Sequence, residues 1–249
     1  MNNYSSIPEA SMIPILKQGF LSEINMRINP TEYNIGEEFR SQYGVPDLLF
    51  YNFDNAILKK RLNNNIKPVQ SKEVIKTLLL IQNRKKITLS FLQESLPFNK
   101  EILKNKVIKF LLDNNYLNKT LNDCDSYWVG ENIYKTVMGN MYAVEAKVSN
   151  WKRGFYQAYR YKWFSNFSFL AMHSKYIRPA KNQLGLFEKY NIGLISVDSD
   201  TCALEVLRNP KKEKAYSPEM AAIAFEKLFA TYLEKKADSQ FAQSSRLTI

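Results

Sequence analysis

The spacing of apolar residues changes period several times along the chain, and each change marks an element. Ile13, Leu16 and Phe20 fall at helical intervals and predict a short helix over residues 10–20, with Pro14 tolerable only in its first turn. Residues 24–40 read as extended, polar-interrupted chain with a turn at Asn29-Pro30. Gly44 then precedes Val45-Pro46-Asp47-Leu48-Leu49-Phe50-Tyr51, a strand-forming run in which Pro46 fits only at the start, so Asp47 should open a buried strand.

Residues 55–65 are polar and basic. Ser71 is a candidate N-cap for a helix over 72–82 that buries Val74, Ile75, Leu78, Leu79 and Ile81. After a basic turn at 83–86, Ile87-Thr88 opens a second short helix, 90–96, ended by Pro97. Asn99 caps a third over 100–114, whose apolar face includes Leu103, Val107 and Leu111 and leaves Lys100, Lys104 and Lys106 largely off that face. Tyr116-Leu117 and Tyr127-Trp128-Val129 flank the turn-rich Asn122-Asp123-Cys124-Asp125 and predict a small hairpin. Beyond it the pattern gives strands at 141–148, 167–172 and 193–197, helices at 151–164 and near 183–190, and an amphipathic helix from Pro218 to about Lys235 before a frayed tail. No internal repeat is visible. Alternating strands and helices make the chain α/β.

Composition narrows the chemistry. Only Cys124 and Cys202 are present, without CxxC spacing, and His173 is the sole histidine, so thiolate zinc sites, disulfide frameworks and sites needing two His ligands are excluded. His173 lies in the apolar run SFLAMHS and reads as a packed strand residue. Any metal must be held by oxygens, which favours Mg²⁺ or Mn²⁺. No apolar run approaches the roughly 18 residues of a membrane span, and the first residues lack the charged and apolar regions of a signal peptide, so no membrane partner and a cytoplasmic location are expected. With 35 Lys+Arg against 24 Asp+Glu, the net charge of +11 favours a polyanionic partner, nucleic acid first.

Three short helices followed by a hairpin, over residues 69–130, resemble a winged helix-turn-helix module, in which the third helix enters the DNA major groove. The segment holds ten Lys+Arg against six Asp+Glu. Many such modules only pair proteins, and a lysine-bearing helix face is by default a solvated one.

Glu145 and Lys147 stand two residues apart inside the apolar strand YAVEAKV, so both leave the same face and must be paired or metal-bound, while Ala146 packs beneath a helix on the other. Pro46-Asp47 at one strand start and Glu145-Ala146-Lys147 on another, followed by a helix bearing Gln157 and Tyr161, resemble the PD-(D/E)xK superfamily, the restriction-endonuclease-like fold. Glu234-Lys235-Lys236 repeats the triplet but lies at a helix end. The resemblance covers residues 10–54 and 140–200. It implies a mixed sheet flanked by helices and interrupted by the winged helix-turn-helix domain, because Asp47 and Glu145 are 98 positions apart (145 − 47). The domains expected are a discontinuous nuclease-like domain (1–54 and 136–236), an insert (55–135) and a flexible tail (237–249).

The resemblance further implies a metal-dependent DNA endonuclease, in a setting such as prokaryotic genome defence or mobile-element DNA processing. Asp47, Glu145 and the Ala146 carbonyl would hold Mg²⁺ or Mn²⁺, Lys147 would orient the attacking water and Gln157 would assist. An additional acid is sought upstream, with Glu38, Glu37 and Glu23 preferred and Glu9 also present. Lys100, Lys104, Lys106, Lys152, Arg153 and Arg160 are the candidate DNA contacts, with Lys162 beside them, whereas Trp151 and Tyr161 read as packing residues. A homodimer or a partner protein subunit is compatible with one site per chain. The rivals are a non-catalytic DNA-binding regulator and a protein-interaction subunit on an inactive scaffold.

Overall fold

The structure, a computed structural model, describes residues 8–25, 28–120, 125–130 and 134–246, without the side chains of 239–246. Its strands and helices are, in chain order, α1 (Ile13–Ile24), β1 (Asn34–Glu37), β2 (Leu48–Phe53), α2 (Asn55–Asn63), α3 (Lys72–Ile81), β3 (Lys86–Thr88), α4 (Leu89–Ser95), α5 (Lys109–Asp113), β4 (Leu117–Lys119), β5 (Ser126–Val129), β6 (Met138–Lys147), α6 (Trp151–Tyr161), β7 (Phe167–His173), α7 (Arg178–Lys181), α8 (Leu184–Lys189), β8 (Gly193–Val197), β9 (Leu204–Arg208) and α9 (Pro218–Arg246). A 3-10 turn, Glu9–Met12, leads into α1, and a π-helical stretch, Ile102–Ile108, leads into α5. Among the described residues no helix is long and apolar enough to cross a membrane.

The chain divides into two compact units, Met1–Phe53 with Gly139–Ala221, and Asp54–Met138 with Ala222–Ile249. The expected first domain held residues up to 236, so the difference lies in α9, most of which belongs to the second unit. Nor does the chain leave the helix near Lys235: α9 runs on to Arg246, through the segment expected to be a flexible tail.

In the first unit a six-stranded sheet has the order β1-β2-β6-β7-β8-β9. The pairs β6–β7 and β7–β8 are parallel, whereas β1–β2 and β8–β9 are antiparallel, so the sheet is mixed and the unit is α/β. The central strands are nearly continuous apolar runs because helices cover both faces. On one face α1 buries Leu16, Phe20 and Ile24 against Val144, Ala146, Phe169 and Ile195. On the other, Phe155 and Ala158 of α6 and Phe187 of α8 pack on Leu170, Met172 and Leu194. His173 is a packed residue at the end of β7, fully buried, with Nε2 2.8 Å from Ser199 Oγ and Nδ1 accepting the Lys175 N–H.

The second unit runs helix, strand, helix, helix, strand, strand from α3 to β5, and its sheet has the order β3-β5-β4 with both pairs antiparallel. Ser71 accepts the Val74 N–H, and Asn99 accepts the Ile102 N–H, so the two expected caps are in place. Ile87 and Thr88 also end β3, and Thr88 opens α4 as its N-cap by accepting the Phe91 N–H. The polar stretch after Asp54 is also helical, as α2, because the Asp54 carboxylate accepts the Ala56 and Ile57 N–H groups. The turn between β4 and β5, with Cys124, lies outside the described residues.

Candidate functional site

Glu145 and Lys147 leave β6 on the face covered by α6. Helix and strand approach closely there because residue 154 is glycine: a Cβ would lie 2.9 Å from Lys147 Cγ and 2.5 Å from a Leu170 methyl. Asn150 fixes the start of α6 by accepting the Arg153 N–H at 3.2 Å. Seven residues beyond Gly154, two turns along the same side of α6, the Tyr161 hydroxyl bonds Glu145 Oε2 and lies 3.0 Å from the Val45 carbonyl. Gly44, at φ +132°, carries the preceding turn across the Tyr161 ring. Tyr161 is therefore buried as expected of a packing residue, but its hydroxyl also holds a carboxylate, a role the apolar pattern does not announce.

Asp47 immediately precedes β2. Its Oδ2 accepts the Ala146 N–H at 2.7 Å, across 99 positions of sequence. Lys147 Nζ lies 2.8 Å from Glu145 Oε1, 2.9 Å from the Ala146 carbonyl and 3.2 Å from Glu9 Oε2, so three acceptors face its three protons. Glu145 is 1% exposed and Lys147 9%. Burial pushes the Asp47 and Glu145 carboxyls up, against the opposing pull of the Ala146 N–H on Asp47 and of Lys147 on Glu145. Burial alone would pull Lys147 down, but Glu145, Asp47 and Glu9 reverse the direction and hold it above its ordinary value, so it stays an ammonium.

Glu9 is the upstream acid that reaches this cluster, carried by the turn before α1. Glu38 is placed at φ +47° with its N–H 3.4 Å from the Asp47 carbonyl, and its charge is felt by Asp47. Glu37 is occupied by Lys17, 2.6 Å away. Glu23 lines a cleft with Gln18 and Leu204 instead. Nothing in the sequence ranks Glu9 above the other three, because its proximity depends on the path of a turn. Gln157, between Gly154 and Tyr161 on α6, has a buried Oε1 with no hydrogen-bond partner among the described residues.

The candidate DNA contacts divide. Lys152, Arg153 and Arg160 are exposed on α6, and Lys100 is exposed in the second unit. Lys106 is paired with Glu73 at 2.8 Å and Lys104 with Asp125 at 3.0 Å, exposed bridges that cost little to exchange for phosphate. Lys162 is not a phosphate contact: it is 6% exposed, its Nζ donating to the Tyr190 carbonyl at 2.5 Å and ion-paired with Glu213 at 2.8 Å.

Among the described residues no three His, Cys, Asp or Glu side chains gather into a metal-binding group. Two carboxylates and a backbone carbonyl do converge, however, a set of hard oxygens suited to Mg²⁺ or Mn²⁺ completed by water and phosphate. A buried carboxyl at Glu145 and a half-buried one at Asp47, both with raised affinity for protons, are also what a divalent cation would relieve, and the Ala146 carbonyl keeps a second lone pair beside its bond to Lys147. The residues present fit such an ion. No protein-family model matches the chain, and no curated protein matches it at a significant level.

Proposed function

We propose that the first unit is a metal-dependent DNA endonuclease of the restriction-endonuclease-like kind and that the second is a winged helix-turn-helix module gripping the same DNA. The observation that carries this reading is the bond from the Ala146 N–H to Asp47, which sets a strand-opening aspartate against Glu145-Ala146-Lys147. Asp47, Glu145 and the Ala146 carbonyl would hold Mg²⁺ or Mn²⁺. When bound, the ion polarises the phosphodiester and lowers the pKa of its water.

The remaining work falls to protein groups. Lys147 would orient the attacking water and offset charge building on the phosphate, a task for a compact ammonium. Glu9 and Glu145 position that ammonium, and Tyr161 holds the Glu145 carboxylate in one orientation. Gln157, whose buried Oε1 has no hydrogen-bond partner among the described residues, would assist from the same helix. For the second unit, support comes from the helix-strand-helix-helix-strand-strand order and the exposed Lys100 and Lys106 on the third helical segment. One such centre cuts one strand, so cleaving both would call for a second copy, a partner subunit or repeated nicking.

Nicking of supercoiled plasmid tests the reading. The wild type should nick with Mg²⁺ or Mn²⁺ and stop with a chelator, and Lys147→Ala and Asp47→Asn should each lose at least about 100-fold, the scale of losing a proton-transfer or charge-stabilising group. Activity that survives both substitutions removes the site. One observation favours a non-catalytic DNA-binding protein as the second reading: all three Lys147 donors already have protein acceptors. That reading predicts DNA binding without nicking under any divalent ion.

A further inference from the structure

A separate pocket opens in the first unit between α6 and α8. Lys152, Phe155, Tyr156 and Tyr159 recur at helical spacing and, with Trp151, Leu186 and Tyr190, line a cavity of about 490 Å³. Ligand pockets typically measure about 300–1,000 Å³. Its walls are ring faces and edges held in mutual contact. Phe155 meets Tyr190 edge-on at 5.7 Å, and Tyr159 meets Tyr190 at 5.5 Å and 86°. Tyr156 is 68% exposed, which no packing role explains.

The surroundings are cationic. Residues 151–190 contain eight Lys or Arg and a single acidic residue, Glu188. Lys152 lines the pocket and Lys189 lies 5.6 Å from the centre of the Tyr190 ring, and neither forms an ion pair among the described residues. Ring faces beside unpaired ammonium groups match one class of ligand, a planar base joined to phosphate. In a duplex the base faces are already covered by their neighbours and only the edges are open. An aromatic pocket therefore selects unpaired or extruded bases.

We propose that this pocket is a stacking site for a base of single-stranded nucleic acid, with Tyr156 as the stacking ring and Lys152 as the phosphate contact. The proposal deepens the nuclease reading by naming the form of strand it would hold, and rests on it only in taking nucleic acid as the partner.

The test is fluorescence-anisotropy titration of the full chain, with chelator present so that cleavage plays no part. The probes are an oligothymidylate, its oligouridylate counterpart and an abasic DNA strand of the same length. Wild type should bind one or both base-bearing strands more tightly than the abasic strand. Tyr156→Ala should weaken that binding by about 5- to 100-fold and Tyr156→Phe should restore it. Because Tyr156 is exposed, its loss does not endanger folding. Equal affinity for the abasic strand, unchanged binding by Tyr156→Ala, or displacement by polyglutamate as effective as by oligonucleotide would each overturn the proposal, the last in favour of an acidic protein. Failure of plasmid nicking with Tyr156-dependent binding intact would remove the nuclease and keep the pocket. Robust nicking with unchanged Tyr156→Ala binding would do the reverse.

Discussion

The Asp47 carboxylate accepts the backbone N–H of Ala146 at 2.7 Å, joining the residue before β2 to the middle of the Glu145-Ala146-Lys147 triplet. This bond has a structural role as well as the proposed chemical one, so the two must be separated by substitution. Asp47→Ala removes an acceptor and should cost about 1–3 kcal/mol for the N–H left unsatisfied, whereas Asp47→Asn keeps an oxygen in place. Both variants should be inactive in nicking, with thermal unfolding showing the alanine variant to be the less stable.

Gly154→Ala should injure the site without removing a charged group. The added methyl would sit 2.5 Å from a Leu170 methyl and 2.9 Å from Lys147 Cγ, so α6 must lift or Lys147 must move. Such overpacking costs about 1–3 kcal/mol. A crystal structure of the variant should show Lys147 Nζ displaced from Glu145, together with reduced nicking.

In the second unit Arg61 and Glu226 form a buried pair, 4% and 1% exposed, with guanidinium–carboxylate distances of 2.5 and 3.0 Å. Glu226 also accepts the Val69 N–H and the Tyr134 hydroxyl, while Arg61 Nη2 donates to the Lys67 carbonyl. Glu226→Gln leaves the guanidinium buried without a counter-charge and should destabilise by about 3–5 kcal/mol, whereas combining it with Arg61→Met, which removes the buried charge and keeps a side-chain oxygen for the Val69 N–H or the Tyr134 hydroxyl, should recover part of that loss. Thermal unfolding followed by circular dichroism checks both outcomes.

Much of this was legible because burial leaves a period. The strands at 193–197 and 167–172 and the capped helix at 72–82 follow from apolar spacing alone, and β6 betrays its site by carrying two charges where only apolar residues belong. What was illegible depended on partners far along the chain. Glu9 is 138 positions from Lys147, and Glu226 is 165 from Arg61. Lys162 looked like a surface cation because its acceptors, Tyr190 and Glu213, are supplied only by the fold. The helix α2 escaped for another reason: it is too polar to show a stripe, and Asp54 was its only signal.

Lys106 also sets a pH response. Its ammonium, then Ser71, draws the Glu73 carboxyl down from an ordinary 4.5 to about 2. A depressed folded-state value means that the contribution to stability is complete above about pH 4.5 and is lost as pH falls toward 2. Solvent screening of this exposed pair keeps the contribution small. Lys106→Ala should return the Glu73 titration toward 4.5, as followed by its side-chain carboxyl resonance in NMR.

The central claim is that Asp47 and Glu145 share one divalent ion beside Lys147. Anomalous scattering from crystals grown with Mn²⁺ and a DNA oligonucleotide tests it most directly. The account predicts one strong peak in contact with an oxygen of each carboxylate and with the Ala146 carbonyl, and Lys147 Nζ turned toward the phosphate. A peak elsewhere, or none, with Lys147 still bonded to the Ala146 carbonyl and Glu9, would contradict it.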